Sequence, residues 1–442
     1  MAEQLAQKNP AQEDPVQESL VQESTVRSEA YLDIVWRQFK KNRFAYISLW
    51  LLLPTFLIAI LASALVSNQP FIFFDGDEVL FPWLRFIFNP EEPVDFFFNM
   101  AMLGLIPWAV AAVWTNRAWR RRGMPGRRRA LLVSAEYLAV IVAFSILFLI
   151  PGVRPTNKYA ARSFHVDQFR SNGEKWGIFP PVRFGAGEPD IESQFQPPFY
   201  RKPETSSAGL AAYKDINDGD LHLLGTDNIG RDVLARMVYG TRISMSVGFV
   251  AVSIYMTIGL IVGAIAGYFG GVTDMLISRV IEVVLLFPAF FLILILVAML
   301  GQSIYLIMIV IGITRWPTIA RLIRGEVLKQ RSIDYTYAAR ALGASDFRVI
   351  FRHILPNSLS PAMVAAPFGV ASAIILEASL SLLGFGVRPP TPTWGVLLQL
   401  ALGNYSYWWL IVIPSVAIFC TVTIFNLVGS GLRDAMDPRL RI

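Results

Sequence analysis

The chain has 442 residues, 54% of them hydrophobic and only 16% charged, with a net charge of +6 and a mean hydropathy of +0.48. Soluble domains carry roughly 25% charged residues, so this deficit points to lipid as the solvent. The single cysteine, Cys420, excludes a disulfide within the chain, and three scattered histidines (His165, His222, His353) give no metal-ligand spacing.

The first 43 residues lack an apolar core behind a basic start and a small-residue cleavage site, so a signal peptide is not expected. Residues 12–24 are polar, with VQES at 16–19 and again at 21–24, and their composition predicts a disordered tail. From 31 to 43, Leu32, Ile34, Val35, Trp36 and Phe39 alternate with Arg37, Lys40, Lys41 and Arg43, as in an interfacial amphipathic helix.

About 20 apolar residues of helix cross a bilayer core. Runs at 44–66, 96–115 and 130–150 predict three spans, and the uncharged run 243–273 predicts a fourth. The run 283–314 is too long for one span, and Gly301-Gln302-Ser303 divides it into 283–300 and 304 to about 323. Runs at 362–383 and 408–427 bring the predicted number to eight. Lys and Arg mark cytoplasmic loops. Residues 116–129 hold seven arginines, whereas the loops 67–95 and 384–407 hold one each, Arg85 and Arg388. Both termini are therefore expected in the cytoplasm. This orientation of the positive charge fits a bilayer rather than nucleic acid as its partner.

The segment 151–242, rich in Pro, Gly and aromatics, is expected to form an irregular cap outside the membrane. It ends in HLLGTDNIGRDVL at 222–234, where Gly225 and Gly230 read as bends and Thr226 or Asp227 as a helix cap. Gly225, Thr226, Asp227, Gly230, Arg231 and Asp232 are candidates either for contact with a substrate-delivering partner or for a latch into the next helix. Within the membrane, Gly259, Gly263, Gly267 and Gly271 share one helix face and invite a close neighbour, inside the subunit or at a seam with another. Pro288, Pro317 and Pro367 are candidate kinks. Glu377 stands in an apolar run, where a carboxylate needs protein or water around it; an arginine partner and a direct hold on a substrate amine are both open. Glu282 and Arg315 are expected near the inner ends of their helices.

The stretch YTYAARALGASDFRVIFRHILPN at 335–357 is basic and helical between apolar runs. Small residues Ala338, Ala339, Ala341, Gly343 and Ala344 allow close seating in a partner's groove, and Arg340, Arg348 and Arg352 supply orienting charge. Set beside HLLGTDNIGRDVLARMVYGTRIS (222–244), LEASLSLLGFGV (376–387) and TPTWG (391–395), it resembles the dipeptide and oligopeptide permeases of the DppC and OppC type. The resemblance covers about half the chain, from Leu223 to the C-terminus, plus the first helix. The string WGIFPP at 176–181 is similar to the Yej-type branch, associated with microcin C and other peptides.

The resemblance implies an all-α polytopic membrane protein with a type I ABC importer permease core of six helices and two extra helices after the first. It implies a division into a cytoplasmic tail and amphipathic helix (1–43), a first span (44–66), an inserted pair (67–150), a periplasmic loop (151–242) and a permease core (243–442). The coupling loop would lie at about 324–357 and meet ATPase subunits through Asp334, Tyr337, Ala338, Ala339, Arg340, Gly343, Ala344, Arg348, Leu355 and Pro356. Where the family's motif commonly begins with glutamate, this chain has Tyr337, which removes a salt bridge but not the docking helix. Implied partners are a second homologous permease, two cytoplasmic ATPases, a periplasmic solute-binding protein and the inner-membrane bilayer. The chain has no phosphate-binding GxxxxGK[ST] and no nucleophile elbow, so no catalytic site and no cofactor are expected, with ATP bound by the partner subunits. A nickel or other small-solute permease, an ion-gradient transporter and a lipid-binding scaffold are the alternatives.

Overall fold

The computed structural model describes residues 31–437, apart from 91, 125, 202–220, 404 and most of 151–173. The polar tail with its VQES repeats lies outside the described residues. The amphipathic segment is helix α1 (Tyr31–Lys41), whose Val35 and Phe39 are buried. Asn42 then caps α2 (Arg43–Leu65), its side chain accepting from the Ala45 backbone N–H at 3.2 Å.

Two inserted helices follow, α4 (Pro93–Arg121) and α5 (Gly126–Leu149), preceded by the short α3 (Pro82–Phe88). The remaining long elements are α6 (Val233–Phe269), α7 (Gly271–Leu286), α8 (Ala289–Leu300), α9 (Ile304–Arg331), α11 (Ser360–Leu382) and α13 (Trp409–Met436). Between α9 and α11 lies α10 (Asp334–Ala341), and between α11 and α13 lies α12 (Trp394–Leu400). Among the described residues seven helices are long and apolar enough to cross a membrane, and the bent pair α7–α8 makes up to eight.

Two boundaries differ from the sequence reading. Helix α6 starts at Val233, ten residues before the uncharged run, because Arg236 and Arg242 are buried in protein rather than facing lipid. The span placed at 283–300 is broken at Phe287-Pro288 into two helices set 80° apart. Proline at 288 has no N–H to continue the ladder. Pro317 and Pro367, by contrast, lie inside continuous helices.

Helix α6 packs along α9 through its glycines. A Cβ at Gly259 would stand 2.7 Å from Ile319 Cβ, one at Gly263 2.5 Å from the Ala320 carbonyl oxygen, and one at Gly267 2.8 Å from that of Arg324. The stripe therefore serves packing within the subunit, while Gly271 begins the next helix and faces open space. At the far side of the bundle Gly431 of α13 lies against Ala45 and Phe39.

The described parts of 66–92 and 174–232 form a cap at one end of the bundle. A three-stranded antiparallel sheet orders β2 (Val79–Leu80), β1 (Ile72–Phe74) and β3 (Trp176–Ile178), with Phe73 opposite both Leu80 and Gly177. A second pair joins β4 (Tyr200–Arg201) to β5 (Leu221–His222). Asp75 receives Lys175 at 2.6 Å and Arg162 at 2.7 Å, and these cations hold its carboxyl below the ordinary carboxylate range.

Two outcomes follow. Gly263→Leu should lower the stability of the detergent-solubilised protein by about 2 kcal/mol, seen as a lower thermal midpoint. Gly325→Ala, where a Cβ meets nothing within 4 Å, should leave it unchanged or slightly raised. Because the folded Asp75 titrates below its unfolded value, its contribution is complete above the unfolded pKa and lost as pH falls through the folded one. Protection against hydrogen exchange at Ile72–Phe74, measured relative to the intrinsic rate at each pH, should therefore fall on acidification below the ordinary carboxylate range, and Asp75→Asn should abolish that pH dependence.

Candidate functional sites

The GTD–GRD turn is a buried latch. Asp227, 0% exposed, accepts the backbone N–H groups of Ile229 and Arg231 at 3.0 Å with one oxygen and Arg231 Nε at 2.7 Å with the other. Arg236 Nε lies 3.5 Å from that second oxygen. Thr226 donates its hydroxyl to the Ser193 carbonyl at 2.5 Å and accepts the Gln196 N–H at 2.8 Å, while Trp409 Nε1 donates to the Thr226 carbonyl at 3.0 Å. The cap of α6 is Asp232, which accepts from Ala235 N–H at 2.7 Å and lies 2.9 Å from His222 Nδ1. The cap is thus neither Thr226 nor Asp227, because the Asp227 carboxylate is spent on its own turn. Gly225 and Gly230 have φ of +79° and +81°. A Cβ at Gly225 would stand 2.5 Å from the Gln196 carbonyl oxygen, and one at Gly230 would collide with that of Asp190. All six motif residues are brought together, with their polar side chains turned inward.

Glu377 sits on α11, fully buried, where its Oε1 accepts the Ser381 hydroxyl at 2.8 Å. The Thr393 hydroxyl accepts the Val396 N–H at 3.1 Å to cap α12. The partner of Glu377 is thus a hydroxyl of its own helix, with no arginine paired to it among the described residues. The TPTWG turn packs directly on this part of α11, where a Cβ at Gly395 would be 2.6 Å from Ser381 Cβ.

At the opposite end of α6, Tyr268 donates to Asp346 at 2.5 Å in the segment between α9 and α11. This segment runs through α10, a turn at Gly343 (φ +79°) and a π-helical stretch Val349–Ile354 into Leu355–Ser358. Thr336 donates to the Gln330 carbonyl at 2.9 Å, and Val349, Ile350 and Ile354 are buried against the core with Ala339, Ala344 and Leu355 beside them. Asp334, Ala338, Arg340, Arg348 and Pro356 are exposed. So is Tyr337, at 56%, and so are two residues that the sequence reading passed over: Leu342 is 89% exposed and Phe347 72%. The Phe347 and Phe351 rings lie 4.5 Å apart. Apolar residues in a basic, water-facing segment were the available signal.

Glu282 pairs with Arg279 at 2.7 Å on the surface of α7. Arg315 lies well within α9 and not near its end, with NH1 donating to Ser372 at 2.7 Å.

Replacing Asp227 by Asn leaves two buried guanidinium groups without their shared counter-charge. The expected cost is about 3 kcal/mol, read as a lower thermal midpoint and faster proteolysis of the cap.

Residues 259–442 match the family described as binding-protein-dependent transport system inner membrane component, and residues 30–78 match the N-terminal transmembrane domain of oligopeptide transport permease C. The glutathione transport system permease protein GsiD of Pectobacterium atrosepticum is 40% identical over 52% of this chain and 77% of its own length. The dipeptide transport system permease protein DppC of Alkalihalophilus pseudofirmus is 42% identical over 50% of this chain and 73% of its own. The peptidoglycan transport system permease protein YejE of Agrobacterium fabrum aligns across 91% of this chain and 92% of its own, inserted helices included, at 29% identity. With its multi-pass helical architecture, this chain belongs to the family of inner membrane components of binding-protein-dependent transport systems and is a permease subunit of an ABC importer.

Proposed function

We propose that the chain is one of two related permeases forming the path of an ATP-driven peptide importer in the bacterial inner membrane. Relatives named for dipeptide and peptidoglycan transport support the substrate class, and the YejE relative, aligned end to end, favours the Yej-type branch. Both termini face the cytoplasm, in keeping with the arginines between α4 and α5. The cap faces the periplasm and receives a solute-binding protein. The six core helices are α2, α6, the bent pair α7–α8, α9, α11 and α13, with α4–α5 inserted after the first.

Two cytoplasmic ATPases bind and hydrolyse the ATP, one of them seated on the segment 332–359. The exposed Leu342 and Phe347 carry this reading. In water such side chains cost free energy, and a groove on a partner removes that cost. Ala338 and Gly343 let the partner's backbone come close, and Arg340 and Arg348 set its orientation. Closure of the ATPases shifts the helices between inward- and outward-open arrangements.

The test is affinity purification from the native membrane, followed by ATPase and peptide-uptake measurements. A second permease and ATPase subunits should be recovered with the chain. Leu342→Asp combined with Phe347→Asp should reduce ATPase recovery and uptake by at least about tenfold while leaving the chain in the membrane. Recovery of the chain alone, without ATPase activity, would sink the proposal.

A further inference from the structure

Arg315 occupies the middle of the bundle. It stands eleven residues beyond Ile304, the first residue of α9, which at 1.5 Å per residue is about 16 Å into a hydrocarbon layer about 30 Å thick. Neighbouring contacts fix the same level on two other helices. A Cβ at Gly312 of α9 would lie 2.5 Å from Ile254 Cγ2 of α6, and one at Gly259 of α6 3.0 Å from the Trp316 carbonyl oxygen. Tyr255, between them on α6, reaches across to α11, where its hydroxyl fills the space a side chain at Gly369 would need. Ser372, three residues along α11, accepts the Arg315 NH1 at 2.7 Å.

A guanidinium at this depth is costly unless an anion or water meets it. Among the described residues no carboxylate pairs with Arg315, and Ser372 is its only hydrogen-bond partner although it has five N–H donors. Glu377, the acidic residue on α11, accepts from Ser381 of its own helix and makes no ion pair with Arg315. The Tyr255 hydroxyl likewise has no hydrogen-bond acceptor among the described residues. Ser253 and Ser379 donate to the carbonyl four residues back, those of Phe249 and Ile375, whereas Ser372 makes no such bond and keeps its hydroxyl proton for another acceptor. Both Arg315 and Ser372 are half-buried rather than sealed in the core. Arg315 and Ser372 therefore stand half-buried at mid-depth with spare hydrogen-bonding capacity and no carboxylate beside them, and the buried Tyr255 hydroxyl lies at the same level.

We propose that Arg315, Ser372 and Tyr255 form a carboxylate-binding site on the transport path, which takes the free carboxyl terminus of a peptide partway across the membrane. The inference rests on the peptide-importer reading and adds to it a substrate class, peptides with an unblocked carboxyl end. Arg315 supplies charge and direction, and the two hydroxyls complete the shell of an anion that has left water behind. A single charge-assisted contact of this kind gives a preference of about tenfold.

The complete transporter in proteoliposomes is offered an equimolar mixture of alanine tri- to hexapeptides with free carboxyl termini and the same peptides as C-terminal amides. ATP-dependent accumulation of each is read by mass spectrometry. The wild type should accumulate the free acids about tenfold faster. Arg315→Gln should erase that preference while amide import and ATPase activity persist, and Arg315→Lys should restore part of it. Equal wild-type import of acid and amide would overturn the site while leaving the peptide importer standing. So would a parallel loss of both forms in Arg315→Gln, with a weakened permease pair, because that result assigns Arg315 to a carboxylate of the second permease. Import of neither form by the wild type would overturn the peptide reading and the site together.

Discussion

Helices dissolved in lipid gain nothing by hiding a leucine, since the acyl chains are as apolar as the neighbour that would replace them. What remains is how closely two backbones can approach. Along α6 and α9 that approach is set by absent side chains at Gly259, Gly263 and Gly267, against which Ile319, Ala320 and Val327 rest. The buried cluster running from Met245 to Tyr268 on α6 and through Ile323 and Val327 on α9 is organised around this seam. The segment 332–359 is anchored in the same cluster through Val349, Ile350 and Ile354. Its exposed knob is therefore mounted on the best-packed part of the bundle.

Where packing gives way to polar contacts, a few buried groups join several elements at once. Arg242, 0% exposed, donates to the Ala59 carbonyl at 2.6 Å, the Ile60 carbonyl at 3.1 Å, Ser63 at 3.2 Å and Asp95 at 3.0 Å. One side chain thus ties α2, α4 and α6 together. Asn99 strengthens the joint, accepting from Ser63 at 2.7 Å and donating to the Ile87 carbonyl at 2.8 Å. The inserted hairpin hangs from this knot, with Ile106 and Trp114 turned outward to lipid. Asp227 acts similarly for the cap. Removing one partner from such a group costs more than the pair contributes, because the other is left buried alone.

Most of the fold could be read from apolar length, because the bilayer imposes its thickness on every span. The failures have physical causes. Residues 233–242 looked too charged to belong to a span, yet Arg236 and Arg242 are solvated by protein, a circumstance that hydropathy does not register. The break before Pro288 was hidden in an unbroken apolar run whose only mark was one proline. The latch motif was visible as a turn, but the choice of Asp232 as cap depends on which carboxylate the turn itself consumes. Glu377 left open a charged partner, whereas the partner in the structure is the Ser381 hydroxyl one turn along the same helix. Small residues drew attention in 335–357, whereas Leu342 and Phe347 show their exposure only once the chain is folded.

The proline pattern of the long helices has a mechanical side. Prolines lie within α2 at 54, α4 at 107, α9 at 317, α11 at 367 and α13 at 414, and the pair α7–α8 is broken at 288. Helix α6, 37 residues long, contains none. It is an unbroken strut of about 55 Å, the longest helix among the described residues. One end is clamped at Asp232 in the cap, and the other holds Asp346 through Tyr268. A tilt of about 5° at the cap would swing the distant end by about 5 Å, with no hinge between to absorb it. Any force that moves one end must either move the other or break a clamp.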